Sequence, residues 1–212
     1  MTENENNLLA ALTAELKDAI PQVDTTMQLW DAAVMLPLVE TPNGLSVLFQ
    51  VRSKDLKWQP GDVCFPGGRK EPQDKSPAFT ACRELEEEMG LGAQDYTLLG
   101  PLNYFYTFIG PILYPYVGII HHPEQIKIAK DEVASIFTVP VEELLKLEPV
   151  VGQVTVGAKP GDNFPYEVLP EYKPDWSIRK IYDIYCYLYG GKRIWGMTGR
   201  VLKDFLTKVQ TF

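Results

Sequence analysis

The strongest constraint on this chain is a tight turn followed closely by a bounded helix. Phe65-Pro66-Gly67-Gly68 interrupts any regular element, and a polar loop with Pro72 and Pro77 follows. From Pro77 the residues favour helix. Pro77 suits a first turn, where its missing N–H is not needed. Ser76 can serve as N-cap and Gly90 stands where a C-terminal cap belongs. At about 100° per residue, Glu84, Glu87 and Glu88 fall within a sector of roughly 100°. Ala78, Ala81, Cys82, Leu85 and Met89 form the neighbouring sector, which should face a core. Glu86 points elsewhere. Like charges four residues apart cost a few tenths of a kcal/mol, so the stripe calls for a counter-charge. A hard divalent cation with oxygen ligands is the natural one; a solvated acidic face is the plainer alternative.

Charge narrows the partners. The 212 residues carry a net charge of −8, which argues against a nucleic-acid-coating protein, since that would need a basic field. The length suits one domain with appendages. We expect an N-terminal helix and linker over 1–25 and a main domain over 26–212. Cys64, Cys82 and Cys186 are odd in number and irregularly spaced, so they read as reduced, buried thiols and not as a disulfide framework or zinc site. The only histidines, His121 and His122, precede Pro123 and read as loop, which disfavours a histidine nucleophile. The acidic N-terminus lacks a signal pattern and no apolar run reaches membrane-span length. The expected home is the cytoplasm, with no membrane partner.

Along the chain, apolar spacing predicts a helix over Leu8–Ile20 and a linker over Pro21–Trp30. Strands are expected over Asp31–Glu40 and Leu45–Arg52, joined by the Thr41-Pro42-Asn43-Gly44 turn. Others are expected over Val63–Phe65, Tyr96–Leu102 with a break at Gly100-Pro101, Ile112–Ile120, Glu132–Phe137 and Ile181–Leu188. Val150–Val156 either pairs with Tyr166–Leu169 or runs as loop, and 157–177 reads as a mobile loop or hairpin. Short helices are expected over Pro140–Leu147 and, capped by Thr198, over Thr198–Val209. The pattern is α+β.

Gly68, Asp74 and Arg83-Glu84-Leu85-Glu86-Glu87-Glu88-Met89-Gly90-Leu91 resemble the Nudix box, G-x5-E-x7-R-E-U-x-E-E-x-G-U with U aliphatic. Asp74 stands where the box has Glu, and nine steps instead of eight separate it from Arg83. The resemblance implies a Nudix α/β/α sandwich with a mixed β-sheet and the box as a loop–helix–loop. It also implies Mg2+ or Mn2+ held by Glu84, Glu87, Glu88 and the Gly68 carbonyl. Glu87 or Glu88 would accept a proton and Arg83 would orient a carboxylate, with a purely structural ion pair as its alternative role. Glu132 is a further candidate base or ligand.

Upstream, the run from Leu48 to Gly68 is similar to the signature of coenzyme A pyrophosphohydrolases within that group, L-L-T-x-R-[SA]-x3-R-x3-G-x3-F-P-G-G. Leu48, Arg52, Ser53, Gly61, Phe65, Pro66, Gly67 and Gly68 match; Phe49, Gln50 and Lys57 depart. Lys57 keeps the charge of the usual Arg but not its bidentate geometry. The resemblance, spanning roughly residues 31 to 209, implies substrate binding by Arg52, Lys57, Gly61, Phe65 and Gly67. It further implies metal-dependent hydrolysis of coenzyme A to 3′,5′-ADP and 4′-phosphopantetheine. A Nudix pyrophosphatase for ADP-ribose or another nucleoside diphosphate derivative, and a silent Nudix-fold binding module, are the alternatives. The partner is a small-molecule diphosphate, and a homodimer is compatible with the sequence.

Overall fold

The computed structural model describes residues 2–17, 30–107 and 110–211. Its centre is strand β1, Trp30–Thr41, an almost continuous apolar run of the kind that is covered on both faces. One edge of β1 runs parallel to β7, Pro111–Ile120, from Trp30↔Pro111 to Val39↔Ile120. The other edge is shared. Leu38–Thr41 pairs antiparallel with β2, Gly44–Arg52, across the expected turn, whereas Ala32–Val34 pairs with β4, Gly67–Arg69. Pro37, which cannot donate to a ladder, lies where the edge changes partner. The short strand β3, Val63–Cys64, and β8, Val133–Pro140, flank β2. Strands β5, Tyr96–Pro101, and β6, Phe105–Tyr106, flank β7. The result is an eight-stranded mixed sheet.

Alternation along β1 sends side chains to two cores. Ala33, Met35 and Val39 meet Ala81, Leu85 and Met89 of helix α2, Pro77–Met89. Leu36 and Leu38 join Val47, Phe49 and Val117 against Val201, Leu202, Phe205 and Leu206 of the C-terminal helix, Gly196–Val209. Helices thus cover both faces, giving the α/β/α sandwich. Each buried aliphatic or aromatic side chain stabilises by about 1.5–3 kcal/mol, so both helices are fixed mainly by their apolar stripes.

A separate three-stranded antiparallel sheet is built from β9, Val150–Ala158, β10, Ser177–Tyr189, and β11, Lys192–Trp195. Here the expectation fails. Val150–Ala158 pairs with β10, Cys186↔Val150 through Ser177↔Ala158, and not with Tyr166–Leu169. The strands therefore reach into the region read as loop, which shrinks to 159–176. Periodicity missed this because β9 has little buried side chain and no alternation to follow.

Smaller differences have local causes. β5 runs through Gly100-Pro101, where a register shift between Leu98 and Gly100 absorbs the disruption. The first helix, α1, is Glu3–Leu16 and ends before the expected Ile20; residues 18–29, which hold that end and most of the expected linker, lie outside the described residues. Helix α3, Val141–Lys146, falls where predicted. The last helix, α4, begins at Gly196, with Trp195 at the cap position. Thr198 is not the cap: its hydroxyl donates to the Val63 carbonyl at 3.2 Å, tying α4 to β3. The three cysteines are free but only half-buried.

Candidate active site

Helix α2 forms between the predicted caps. Ser76 Oγ accepts from Phe79 N at 3.2 Å, Pro77 opens the first turn, and Gly90 closes the helix at φ 63°. The glycines before it serve close approach. A side chain at Gly67 would strike the Ala33 carbonyl and Val34, and one at Gly68 would strike the Glu84 carboxylate. Only glycine lets β4 lie on β1 with the acidic stripe directly over it.

Arg83 is the hub of this stripe. Its Nε and Nη2 reach the two carboxylate oxygens of Asp74, each at 3.1 Å. Nη2 also meets Glu84 at 2.9 Å and donates to the Arg69 carbonyl at 3.3 Å. Nη1 donates to Glu87 at 2.8 Å. Asp74, buried under this fork and accepting from Thr80 Oγ1 and Glu71 N, is pulled down to about 2 by the Arg83 hydrogen bonds. The extra step in the spacing between Asp74 and Arg83 therefore does not separate them.

Glu88 stands apart. It is 2% exposed, and Gln50 Nε2 and Gly67 N both donate to its Oε2, at 3.0 and 3.1 Å. Burial, reinforced by the charges of Glu84 and Glu132, pushes it up to about 7. Glu84 is raised too, first by burial and further by Glu87 and Glu132. Glu132 itself is exposed at the start of β8, and its backbone carbonyl accepts from Ser53 N at 2.8 Å.

Beside this cluster lies a cavity of about 160 Å³ lined by Arg52, Gln59, Cys64, Phe65, Gly67, Gly68 and Met197 among others. It adjoins a second cleft of about 220 Å³, with which it shares Gln59, Cys64, Met197 and Thr198. The second cleft is walled by Phe105, Tyr106, Tyr182, Ile184 and Trp195, with Asp62, Asp183 and Arg200 as its charged groups. Arg52, Phe65 and Gly67 thus come together near the carboxylates. Phe65 does so from the core, stacked on Phe49 at 5.1 Å. Lys57 is exposed on the 53–62 loop and lines neither cavity, and Gly61 sits in that loop's turn at φ 76°.

Comparison with known proteins agrees with this geometry. The NUDIX domain matches residues 29–155. The chain belongs to the Nudix family. It is 36% identical over 113 residues to the peroxisomal coenzyme A diphosphatase NUDT7 of Mus musculus, covering 53% of this chain and 48% of that protein. The match therefore spans about half the length of that relative. It is 32% identical over 179 residues to the Nudix hydrolase NudL of Photorhabdus laumondii, covering 84% of each chain. In fold it resembles a MutT/nudix family protein from Enterococcus faecalis, with TM-score 0.50, 15% identity, and coverage of 99% of this chain and 75% of the other.

Nudix hydrolases work with divalent metal ions. Among the described residues no three His, Cys, Asp or Glu side chains converge into a closed metal cluster; Arg83 holds Glu84 and Glu87 instead. The donor set nevertheless fits a hard cation. It is all oxygen, and burial and mutual repulsion raise Glu84 and Glu88 in a way that a nearby cation would relieve.

Two residues of this Nudix site escaped the sequence reading as functional groups. Gln50 is 1% exposed and grips Glu88, while its own Oε1 is buried without a partner. The available signal was a polar residue in mid-strand at the same parity as the buried Leu48. Gln59 lines both cavities from a left-handed backbone at φ 49°, which no local pattern announces.

Proposed function

We propose that this Nudix chain hydrolyses the diphosphate linkage of coenzyme A or its derivatives, yielding 3′,5′-ADP and 4′-phosphopantetheine or its acyl form, with residues 26–212 as the catalytic unit. The observation that carries the substrate class is the apolar cleft continuous with the Gly67–Gly68 cavity. Coenzyme A has a long uncharged limb on one side of its diphosphate, whereas ADP-ribose carries only a sugar there. Phe105, Tyr182, Ile184, Trp195 and Met197 offer apolar surface to such a limb, and Asp62 and Asp183 outweigh Arg200 in the cleft's charge, which disfavours a phosphorylated one. The match of Arg52, Gly61, Phe65 and Gly67 to the coenzyme A signature supports the same choice.

In this reading water attacks one phosphorus, the anhydride P–O bond breaks, and the proton from water passes to a carboxylate. Glu88 suits that role better than Glu87. Gln50 and Gly67 hold one of its oxygens in place, and in the absence of a cation burial pushes its pKa up towards the range of a general base. Glu87 is 59% exposed and tied to Arg83. Arg83 and Asp74 orient Glu84 and Glu87. Glu84, Glu87, Glu88 and the Gly68 carbonyl would hold Mg2+ or Mn2+, with Glu132 as a further ligand or base. When bound, such a cation screens the phosphate oxygens and makes water a stronger acid. Arg52 contacts the substrate phosphates, with Lys57 assisting from the loop. A cytoplasmic setting is part of the reading, supported by three unpaired cysteines.

The test is turnover of coenzyme A, dephospho-coenzyme A and ADP-ribose with Mg2+, products read by mass. Coenzyme A should be preferred. Arg52→Ala should lower kcat/KM on it about ten- to a hundredfold, the worth of a charge-assisted contact of roughly 1.5–3 kcal/mol. Faster hydrolysis of ADP-ribose than of coenzyme A sinks the substrate assignment and leaves the Nudix chemistry standing.

A further inference from the structure

Strand β9 is an edge of the second sheet: β10 covers one side, and among the described residues no strand covers the other. Natural edge strands are protected by charged side chains, prolines, bulges or brevity. β9 itself has none of these; the one register shift in its ladder falls on β10, between Ile178 and Lys180. Val150-Val151-Gly152-Gln153-Val154-Thr155-Val156-Gly157-Ala158 contains no charge and no proline, and Val150 and Val151 are 63% and 51% exposed. Next to it on β10, Ile178 and Ile181 are exposed as well. Such a strand is a template for another strand, and the sequence around it specifies which. Pro149 and Pro160 bracket the run, with Glu148 and Lys159 beside them at opposite ends.

We propose that β9 is the homodimer interface, pairing antiparallel with β9 of a second copy about a two-fold axis at Val154, the centre of the strand, so that Val150 of one copy faces Ala158 of the other. Two-fold symmetry is the commonest way for identical chains to associate. Antiparallel pairing brings the Glu148 end of one copy to the Lys159 end of the other, one residue off direct register and within reach of two long side chains, and symmetry does so twice. A parallel arrangement would place like charges together at both ends. The prolines confine the ladder to the nine charge-free residues. The pairing joins two three-stranded sheets into one of six strands and stiffens β10, whose Tyr182 and Ile184 wall the apolar cleft.

The test is sedimentation equilibrium of the full chain across a wide concentration range, with far-UV circular dichroism to verify folding. The wild-type chain should dimerise. Thr155→Lys, at an exposed position near the axis, sets like charges close together across it and should weaken association about two- to fivefold. Lys159→Glu should also weaken it, and the swap Glu148→Lys with Lys159→Glu should restore it. The swap involves only positions at the strand ends, so it reads the antiparallel orientation even if Thr155→Lys perturbs the strand. Amide exchange over 150–158 should slow as concentration rises. A wild-type chain that stays monomeric throughout, or a dimer indifferent to both Thr155→Lys and the charge reversal, overturns the proposal. Neither result bears on the substrate reading, because no turnover is measured.

Discussion

Glu87 and Glu88 are neighbours in sequence but occupy different environments. One position turns the side chain by about 100° around the helix, which is enough to leave Glu87 in water beside Arg83 and to bury Glu88 under Gln50 and Gly67. The two should therefore fail differently. Glu88→Gln keeps the shape but removes the proposed proton acceptor, so kcat with Mg2+ should fall roughly a thousandfold, within the range of a lost general base, while circular dichroism stays unchanged. Glu87→Gln should cost less, because its carboxylate is exposed. Wild-type turnover in Glu88→Gln would remove this residue from the chemistry. The stripe itself was legible in the sequence because a capped helix fixes its own angles. Gln50 was not, because the partner of a strand residue depends on which helix crosses its face.

At the scale of elements, most of what could be read locally held, the Thr198 cap and the Gly100-Pro101 break excepted, whereas the remote pairing of β9 was missed. The hairpin at Thr41–Gly44 and both caps of α2 are set by residues adjacent to them. The β9–β10 pairing closes over the intervening 159–176 loop and leaves no alternating pattern. Strand β4 lies between these cases: its glycines announce a turn, but only the fold explains why both must be glycine. Gly67→Ala would drive a methyl group into the Ala33 carbonyl and Val34. Overpacking of this kind costs about 1–3 kcal/mol, or roughly 2–12 °C in Tm for a domain of this size. Gly152→Ala on β9, where an added methyl meets nothing within 4 Å, is the control and should leave Tm nearly unchanged. Equal melting of the two variants would mean that β4 is not held against β1 as closely as described.

At the scale of the whole molecule, two of the carboxyls buried among the described residues, Asp74 and Glu88, have titrations that oppose each other. Asp74, held near 2 against an ordinary 3.8, binds fewer protons folded than unfolded at acid pH. Its contribution is present above about 4 and is lost as pH falls towards 2. Glu88, raised to about 7 from 4.5, binds more protons folded than unfolded between those values. Folding stability should then decline as pH rises from about 4.5 to 7, because the folded chain must ionise a buried carboxyl that water would have ionised earlier. In EDTA, chemical unfolding followed across pH should show a maximum near pH 4 to 5, between the two windows. Divalent cation should change the upper limb selectively. On the proposed ligand set it would bind the ionised carboxylates of the folded chain and stabilise by mass action, about 2.7 kcal/mol at a hundredfold excess over Kd. The expected result is a Tm raised by Mg2+ or Mn2+ at pH 7.5 and little affected at pH 4.5, where Glu88 is protonated and the site has lost part of its charge. In Glu88→Gln the decline between pH 4.5 and 7 should flatten even in EDTA. A Tm that ignores the metal at pH 7.5, or a pH profile identical in wild type and Glu88→Gln, would place the metal and the titrating group elsewhere in the molecule.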